Sequence, residues 1–288
     1  MVPVFSRLDQ DQANTFSLVM DASGIENRMI EATDGFRIEV PVYFVDAAQS
    51  VVGRYLGENP TLPANPPVRR HQFVPGYWSG VAVALLLLCV YVAVQTSTVP
   101  DDYVAVFGAD ARRIAGGQVY RCFTALVLHA DAAHLSGNMV GITIFGGTVC
   151  GSFGIGVGWL MILACGFMGN LINAVVHEAG HLSIGASTAV FGAVGLLCAL
   201  QAVDAFRTGR GWKRMALVLG GGLALLAFLG TSTHSDLGAH LFGFVAGIAT
   251  GGAYRFLANR PPGLHAQLLS GAIAASVLLV AWVWGVVN

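Results

Sequence analysis

The sequence predicts an all-α polytopic membrane protein that carries a small α/β module at its amino terminus. Of its 288 residues, 55% are hydrophobic and 11% are charged, whereas a soluble domain carries about 25% charged residues. Seven apolar runs follow residue 77, each long enough to cross the ~30 Å of hydrocarbon in a bilayer. Residues 1–76 are polar and do not open with a signal peptide.

The amino-terminal part is predicted as two regions, a soluble α/β unit over residues 1–58 and a proline-rich linker over residues 59–76. Helical patterns cover residues 12–22 and 46–56, and alternating strand patterns cover residues 28–32 and 36–42. This order resembles small helix–strand–strand–helix modules of some bacterial membrane proteins, and the unit contains no catalytic constellation. The prolines of the linker predict an extended chain.

The remaining residues, 77–288, are predicted to form seven transmembrane helices. Basic residues near the ends of these runs are eight on the side of the amino terminus and three on the opposite side. Because basic residues are enriched in the cytoplasmic loops of membrane proteins, the amino-terminal module is predicted in the cytoplasm and the carboxyl terminus outside. The runs are 78–96, 132–150, 156–176, 186–205, 213–230, 236–254 and 264–287; the basic residues are Arg69, Arg70, Arg207, Arg210, Lys213, Arg214, Arg255 and Arg260 against Arg112, Arg113 and Arg121.

Composition argues against several function classes. The net charge is −1 and no basic run indicates nucleic-acid binding. The five cysteines are scattered, without the close pairing of a zinc site or of a disulfide framework. We therefore expect neither a metal nor a cofactor, and the lipid bilayer as the surroundings of the protein.

Polar residues cluster at one predicted depth of the membrane. His129, His134 and Asn138 lie at the start of the second run, Ser187 at the start of the fourth, and His240 at the start of the sixth. All three of these runs pass from outside to inside, so these side chains are expected to meet just below the outer surface.

Ser187 and His240 are predicted to form a catalytic pair, in which a neutral histidine within ~2.6–3.2 Å activates the serine. His240 shares a helix face with Gly243 and Gly247, a spacing that lets two helices pack closely. The alternative is structural: the serine would bond back to the preceding turn, and the histidine would only link two helices. Asp236 lies one turn before His240 at the membrane surface, so the pattern predicts a dyad without an orienting acid.

Acyl transfer also needs donors for the developing oxyanion. His134 and Asn138 are four residues apart and project from one face of a helix, and the backbone amide of Ser187 at a helix start would be a third donor. His129 would either contribute to this site or brace the loop before the helix.

These residues together resemble the rhomboid family of intramembrane serine proteases, over roughly residues 103–247. The motifs that carry the resemblance are Arg121-x-x-Thr124, His129-x-x-x-x-His134-x-x-x-Asn138, Gly185-x-Ser187 with Phe191 one turn later, and Ala239-His240-x-x-Gly243.

The resemblance implies that Ser187 is the nucleophile, His240 the base, and His134, Asn138 and the Ser187 amide the oxyanion site. It also implies a six-helix core, here followed by a seventh helix, and a partly membrane-embedded first external loop near residues 98–128. Substrates would be single-span membrane proteins cut near the outer face of a bacterial inner membrane. The sequence departs from the family at Tyr120, where tryptophan is usual, and at Thr188, where a frequent glycine is replaced and the cavity would be narrowed.

Two other functions remain open. Residues His177-Glu178-Ala179-Gly180-His181 fit the H-E-x-x-H zinc motif, which would make the protein an intramembrane metalloprotease. That motif needs a continuous helix and a third ligand, and it leaves His134, Asn138 and His240 without roles; the segment is instead predicted as an external loop whose histidines and Glu178 face water. A rhomboid-like chaperone that binds membrane helices without cutting them would use the same glycine-rich bundle.

Overall fold

The computed structural model describes residues 1–32, 34–59, 76–177, 180–207, 211–229, 236–258 and 261–287. The chain divides into two compact units, Met1–Arg70 and His71–Asn288, and the division falls within the predicted linker. Most of that linker, together with Arg69, Arg70, Glu178, Arg210 and Arg260, lies outside the described residues.

The first unit is a three-stranded antiparallel sheet with two helices. The strand order is β1-β3-β2, and the core lies between the sheet and the helices, around Met20, Ile38 and Val52. Helix α1 starts with a capping box, because the Asp9 carboxylate accepts from the Gln12 amide and the Gln12 side chain accepts from the Asp9 amide. The elements are β1 (Val2–Leu8), α1 (Gln10–Ala22), β2 (Arg28–Ala32), β3 (Gly35–Val40), a 3₁₀ turn (Val42–Phe44) and α2 (Val45–Glu58).

Strand β1 was not predicted, so the helix–strand–strand–helix order is wrong at its start. The strand pairs with β3 at the edge of the sheet, with register shifts on both sides of Phe5. Such shifts disturb the alternation of apolar and polar residues that marks a strand in sequence. Pro3 is tolerated because an edge strand has one unpaired side.

The second unit is helical, with one two-stranded sheet. Among the described residues, five helices are long and apolar enough to cross a membrane: α3 (Tyr77–Gln95), α9 (Ile155–Val176), α10 (Ser187–Arg207), α12 (Leu237–Leu257) and α13 (Leu264–Val287). The protein is thus a multi-pass membrane protein, and α10 is the most buried of the five helices.

Two other predicted runs are also helical. The run at 132–150 corresponds to α7 (Ala132–Gly141), a π-helical segment (Ile142–Gly146) and α8 (Gly147–Phe153), and the run at 213–230 to α11 (Gly211–Leu229). Close packing surrounds the π-helical segment: a Cβ on Gly80 of α3 would lie 2.9 Å from the Thr143 backbone, and one on Gly146 2.9 Å from the Trp159 ring.

The loop between α3 and α7 is organised by buried polar side chains. Arg121 is 1% exposed, and its guanidinium donates to the carbonyl oxygens of Ala105 at 2.9 Å and Gly108 at 3.0 Å. Thr124 donates to the carbonyl of Phe107 at 2.6 Å. The loop contains α4 (Pro100–Phe107), β4 (Ala109–Asp110), α5 (Ala111–Ala115), α6 (Arg121–Thr124) and a 3₁₀ turn (Ala125–Val127); β4 pairs with β5 (Leu182–Ser183), just before α10.

Helices α10 and α12 pack backbone against backbone. A Cβ on Gly247 would collide with the carbonyl oxygen of Gly192, and one on Gly195 with that of Phe244. Because no side chain separates the helices at these points, groups at their amino-terminal ends are held close together.

The last helix, α13, lies against α9 and the loop between α3 and α7. Gln267 accepts from the amide of Val157 at 3.0 Å and donates to the carbonyl of Phe153 at 2.9 Å, so it closes the turn between α8 and α9. Near its other end, the Trp282 ring stacks on Phe107 with 4.1 Å between centroids.

Candidate active site

The site is built where α10 and α12 begin. Ser187 is the first residue of α10 and His240 lies in the first turn of α12. The distance from Ser187 Oγ to His240 Nε2 is 2.7 Å, a hydrogen bond between residues 53 positions apart in the chain. His240 is 5% exposed. The close approach follows from Gly243, where a Cβ would collide with the carbonyl oxygen of Thr188.

The turn before Ser187 requires glycine. Gly185 has φ = +122°, a conformation that residues with a Cβ rarely adopt. A Cβ at this position would also lie 2.6 Å from the imidazole of His134. The Gly185 amide donates to the carbonyl of Ala125 at 2.9 Å, which ties the serine turn to the end of the first loop.

Helix α7 brings His134 and Asn138 to the same turn. Asp131 caps the helix and accepts from the His134 amide at 2.8 Å. The Asn138 side chain lies 3.5 Å from the position of a Cβ on Gly185. Its Nδ2 is buried and has no acceptor among the described residues. A buried donor without an acceptor is costly, so Asn138 is well suited to receive an anionic oxygen.

His129 is buried against the turn that precedes Ser187. It is 4% exposed, its Nε2 lies 3.5 Å from the amide of Ala186, and its ring meets that of His134 edge to face, 5.3 Å between centroids. Burial, with a smaller contribution from His134, lowers the pKa of His129 to about 4. The imidazole is therefore neutral at physiological pH and can accept from the Ala186 amide.

The other predicted residues pack around the Ser187–His240 pair or hold the helices and the loop that carry the site. Phe191 packs on the ring of His240, Gly247 contributes to the α10–α12 contact, and Arg121 holds the first loop. Thr188 was expected to narrow the cavity. Its methyl group instead faces Gly169 and Gly243, at 2.5 Å and 3.1 Å from the positions that a Cβ on each glycine would occupy, so it fills the contact between α9, α10 and α12.

The H-E-x-x-H segment does not continue a helix. Helix α9 ends at Val176, and His177 follows it in extended conformation with ψ = 142°. His181 lies just before β5, and Glu178 is outside the described residues. The rings of His177 and His181 stack on each other with centroids 4.3 Å apart.

The prediction that these histidines face water holds only in part, because both are half-buried and both have protein partners. His181 Nε2 lies 2.7 Å from Asp236 Oδ2, and His177 Nδ1 lies 3.0 Å from the carbonyl of Asn173. Sequence reasoning missed this cluster, although Asp236 just before a helix carried the signature of an N-cap.

The fold and this site define a polytopic helical membrane protein with a serine–histidine pair built between two of its helices. The Rhomboid domain family model matches residues 116–255, a range that contains α7, α10 and all but the last two residues of α12. Residues 116–255 therefore form a rhomboid domain.

Several curated proteins are similar over this region. The chain is 31% identical to RHOMBOID-like protein 1 of Arabidopsis thaliana over 135 residues, 46% of this chain and 34% of that protein. It is 32% identical to rhomboid protease GluP of Bacillus subtilis over 117 residues, 41% of this chain and 23% of that protein. It is 27% identical to Rhomboid-like protease 2 of Toxoplasma gondii over 190 residues, 59% of this chain and 63% of that protein. The chain thus spans less than two thirds of each of these relatives.

Proposed function

We propose that the protein is an intramembrane serine endopeptidase in which Ser187 is the nucleophile and His240 the general base. The observation that carries the proposal is the 2.7 Å hydrogen bond between Ser187 Oγ and His240 Nε2. This is the distance that proton transfer from a serine to an imidazole requires.

In the proposed reaction, Ser187 Oγ attacks the scissile carbonyl carbon while its proton passes to His240 Nε2. The carbonyl oxygen becomes an oxyanion and is bound by Asn138 Nδ2, the Ser187 amide and His134. The C–N bond then breaks as His240 returns the proton to the leaving amine. Water, deprotonated by His240, hydrolyses the acyl-enzyme and regenerates Ser187.

We propose a dyad rather than a triad. Asp236 is the acid nearest to His240 in its helix, and both of its carboxylate oxygens are already engaged: Oδ1 by the Ala239 amide at 3.0 Å and Oδ2 by Asn173 and His181. Because the carboxylate of Asp236 is engaged elsewhere, we expect slower turnover than a full triad gives.

We further propose that the seven predicted runs all cross the bilayer, as a six-helix core with α13 added after it. The amino terminus would lie in the cytoplasm and the carboxyl terminus outside a bacterial inner membrane. The substrates would be single-span membrane proteins, because a site at the outer ends of α7, α10 and α12 meets a peptide near the outer surface.

The amino-terminal unit is proposed to be a separate cytoplasmic module over residues 1–58, joined by the linker 59–76 to the membrane domain 77–288. It has a hydrophobic core of its own residues.

The two other functions have less support. A zinc site needs both histidines of H-E-x-x-H on one helix face, whereas His177 is extended and His181 bonds Asp236. A helix-binding chaperone has no need for a serine bonded to a buried histidine.

The test is labelling by a fluorophosphonate probe in detergent micelles, combined with cleavage of a transmembrane reporter in liposomes. We expect labelling at Ser187 and cleavage in the wild type, and loss of both in Ser187→Ala and His240→Ala. Glu178→Gln and chelators should leave both rates unchanged. An unlabelled serine in a folded wild type would refute the proposal, and loss of cleavage in Glu178→Gln or with chelator would favour zinc chemistry.

A further inference from the structure

A second polar cluster lies at the ends of α9 and α12, beside the Ser187–His240 pair and separate from it. Asp236 is the N-cap of α12, and its Oδ1 accepts from the Ala239 amide at 3.0 Å. Its Oδ2 accepts from Asn173 Nδ2 and, in the tautomer with a proton on Nε2, from His181, each at 2.7 Å. One carboxylate therefore joins three parts of the chain.

Two of these parts lead directly into the segments that carry Ser187 and His240. His181 precedes β5, which leads through the Gly185 turn into Ser187. The backbone carbonyl of Asp236 accepts from the amide of His240 at 3.1 Å, so Asp236 and His240 share the first turn of α12. A displacement of Asp236 would carry His240 with it, because a hydrogen-bonded helical turn moves as a unit.

The cluster is enclosed and charged. The side chains of Asp236 and His181 are 15% and 28% exposed. Burial alone would raise the pKa of the Asp236 carboxyl, but hydrogen bonds from the Ala239 amide and from the His181 and Ser183 side chains outweigh burial and lower it. The carboxylate is thus ionised at neutral pH, and its hydrogen bonds are of the stronger, charge-assisted kind.

The backbone of the first turn of α12 packs closely against this cluster. A Cβ on Gly238 would lie 2.5 Å from Asn173 Oδ1 and 2.8 Å from the His177 ring. The backbone of α12 therefore approaches the end of α9 as closely as glycine permits.

We propose that Asp236 and His181 are positioning residues, which hold the first turn of α12 so that His240 Nε2 stays within hydrogen-bond distance of Ser187. The inference rests on the proposed serine protease function. It gives His181, the second histidine of the H-E-x-x-H segment, a structural role: His181 binds the carboxylate at the start of α12.

The test compares Asp236→Asn and His181→Leu with wild type, because leucine has no hydrogen-bond donor. Asparagine is as good an N-cap as aspartate, so Asp236→Asn keeps the bond to the Ala239 amide. It removes the negative charge that faces His181 and Asn173, and with it the charge-assisted strength of both bonds. The matched control is Asp204→Asn. It breaks the 2.7 Å ion pair between Asp204 of α10 and Arg255 of α12, and Asp204 lies about 25 Å along α10 from Ser187.

The readouts are the fluorophosphonate labelling rate of Ser187, kcat and KM for the reporter, and the unfolding temperature. Rates are measured well below the unfolding temperature of each variant. We expect about a 10- to 100-fold loss of labelling rate and kcat in each of the two variants, with KM within twofold and with Asp204→Asn unchanged. The losses should not add in the double variant Asp236→Asn/His181→Leu, since either change weakens the same contact.

A rescue separates positioning from general destabilisation. In Asp236→Asn/His181→Glu the donor and acceptor exchange places, and we expect the labelling rate to recover most of its loss. If wild type is labelled and both single variants are labelled within twofold of it, the inference is overturned. The inference is also overturned if the variants unfold at a lower temperature than wild type but have the wild-type kcat when they are assayed in the folded state. If the folded wild type is not labelled at all, the proposed function fails instead.

Discussion

The imidazole of His240 lies against the ring of Phe191, with 4.7 Å between the centroids and 32° between the planes. Phe191 follows Ser187 by one turn on α10. The helix that supplies the proposed nucleophile therefore also supplies the surface on which the proposed base rests.

This contact gives a first prediction. Phe191→Leu should lower kcat by about 2- to 10-fold, which corresponds to the loss of ~0.5–1.5 kcal/mol of aromatic contact, with little change in KM. The measurement is reporter cleavage in liposomes. Phe206→Leu is the control, because Phe206 lies on the same helix and is 71% exposed. Equal effects of the two substitutions would contradict the role of the Phe191–His240 contact.

A second prediction concerns the glycines of α12. A Cβ on Gly243 would collide with the Thr188 carbonyl, whereas a Cβ on Gly252 of the same helix has no atom of the described residues within 4 Å. Gly243→Ala should cost about 1–3 kcal/mol of stability through overpacking and should slow labelling of Ser187. Gly252→Ala should be neutral or slightly stabilising. Unfolding temperature and labelling rate test both, and indistinguishable variants would count against close packing at position 243.

A third prediction concerns Asn138. Its Nδ2 is a buried donor with no acceptor in the part of the chain that the structure describes. If it binds the oxyanion, Asn138→Ala should lower kcat by about 10²–10³-fold with KM nearly unchanged. Ser136→Ala serves as the control, because Ser136 is an exposed residue of α7 that bonds the carbonyl of Ala132. An unchanged kcat in a folded Asn138→Ala would remove Asn138 from the oxyanion site.

The fourth prediction is a pH dependence of stability. Burial lowers the pKa of His129 from 6.5 to about 4, with His134 acting in the same direction and Asp131 opposing it. Between these values the unfolded chain binds the proton that the folded chain excludes, so stability falls as pH decreases from 6.5 to about 4. The slope is at most about 1.4 kcal/mol per pH unit.

Thermal unfolding followed by tryptophan fluorescence at several pH values measures this slope. His129→Gln retains an acceptor for the Ala186 amide and removes the titration, so its unfolding temperature should vary less with pH over the same window. An identical slope in wild type and His129→Gln would show that other groups are responsible.

The fifth prediction concerns the amino-terminal unit. The two units have separate hydrophobic cores, one around Met20 and Ile38 and one around Val149 and Ala193. Deletion of residues 1–58 should leave the labelling rate of Ser187 within twofold of the full chain. A truncated protein that is folded in detergent but unlabelled would show that the unit takes part in the activity.

Much of the membrane domain follows from local patterns. Apolar length anticipates α3, α9 and α13, and the glycine spacing of Gly243 and Gly247 anticipates a close helix contact. The depth argument for Ser187 and His240 depends only on the direction of each run, which is why residues 53 positions apart could be paired from sequence.

Contacts between distant segments were harder to foresee. Strand β1 is defined by its pairing with β3, and His181 by its bond to Asp236, 55 residues later. A short motif such as H-E-x-x-H attracts a local interpretation, because nothing within those five residues indicates a partner on another helix. The position of α13 beside α9 depends in the same way on Gln267, whose bonds reach back more than a hundred residues.

The backbone contact between α10 and α12 also limits how a peptide can reach the reactive pair. Where carbonyl oxygens meet glycines directly, no third chain can be inserted, so the route of approach to Ser187 must cross some other boundary of the bundle. Engineering of selectivity should therefore leave Gly192, Gly195, Gly243 and Gly247 untouched and vary the residues along the remaining boundaries.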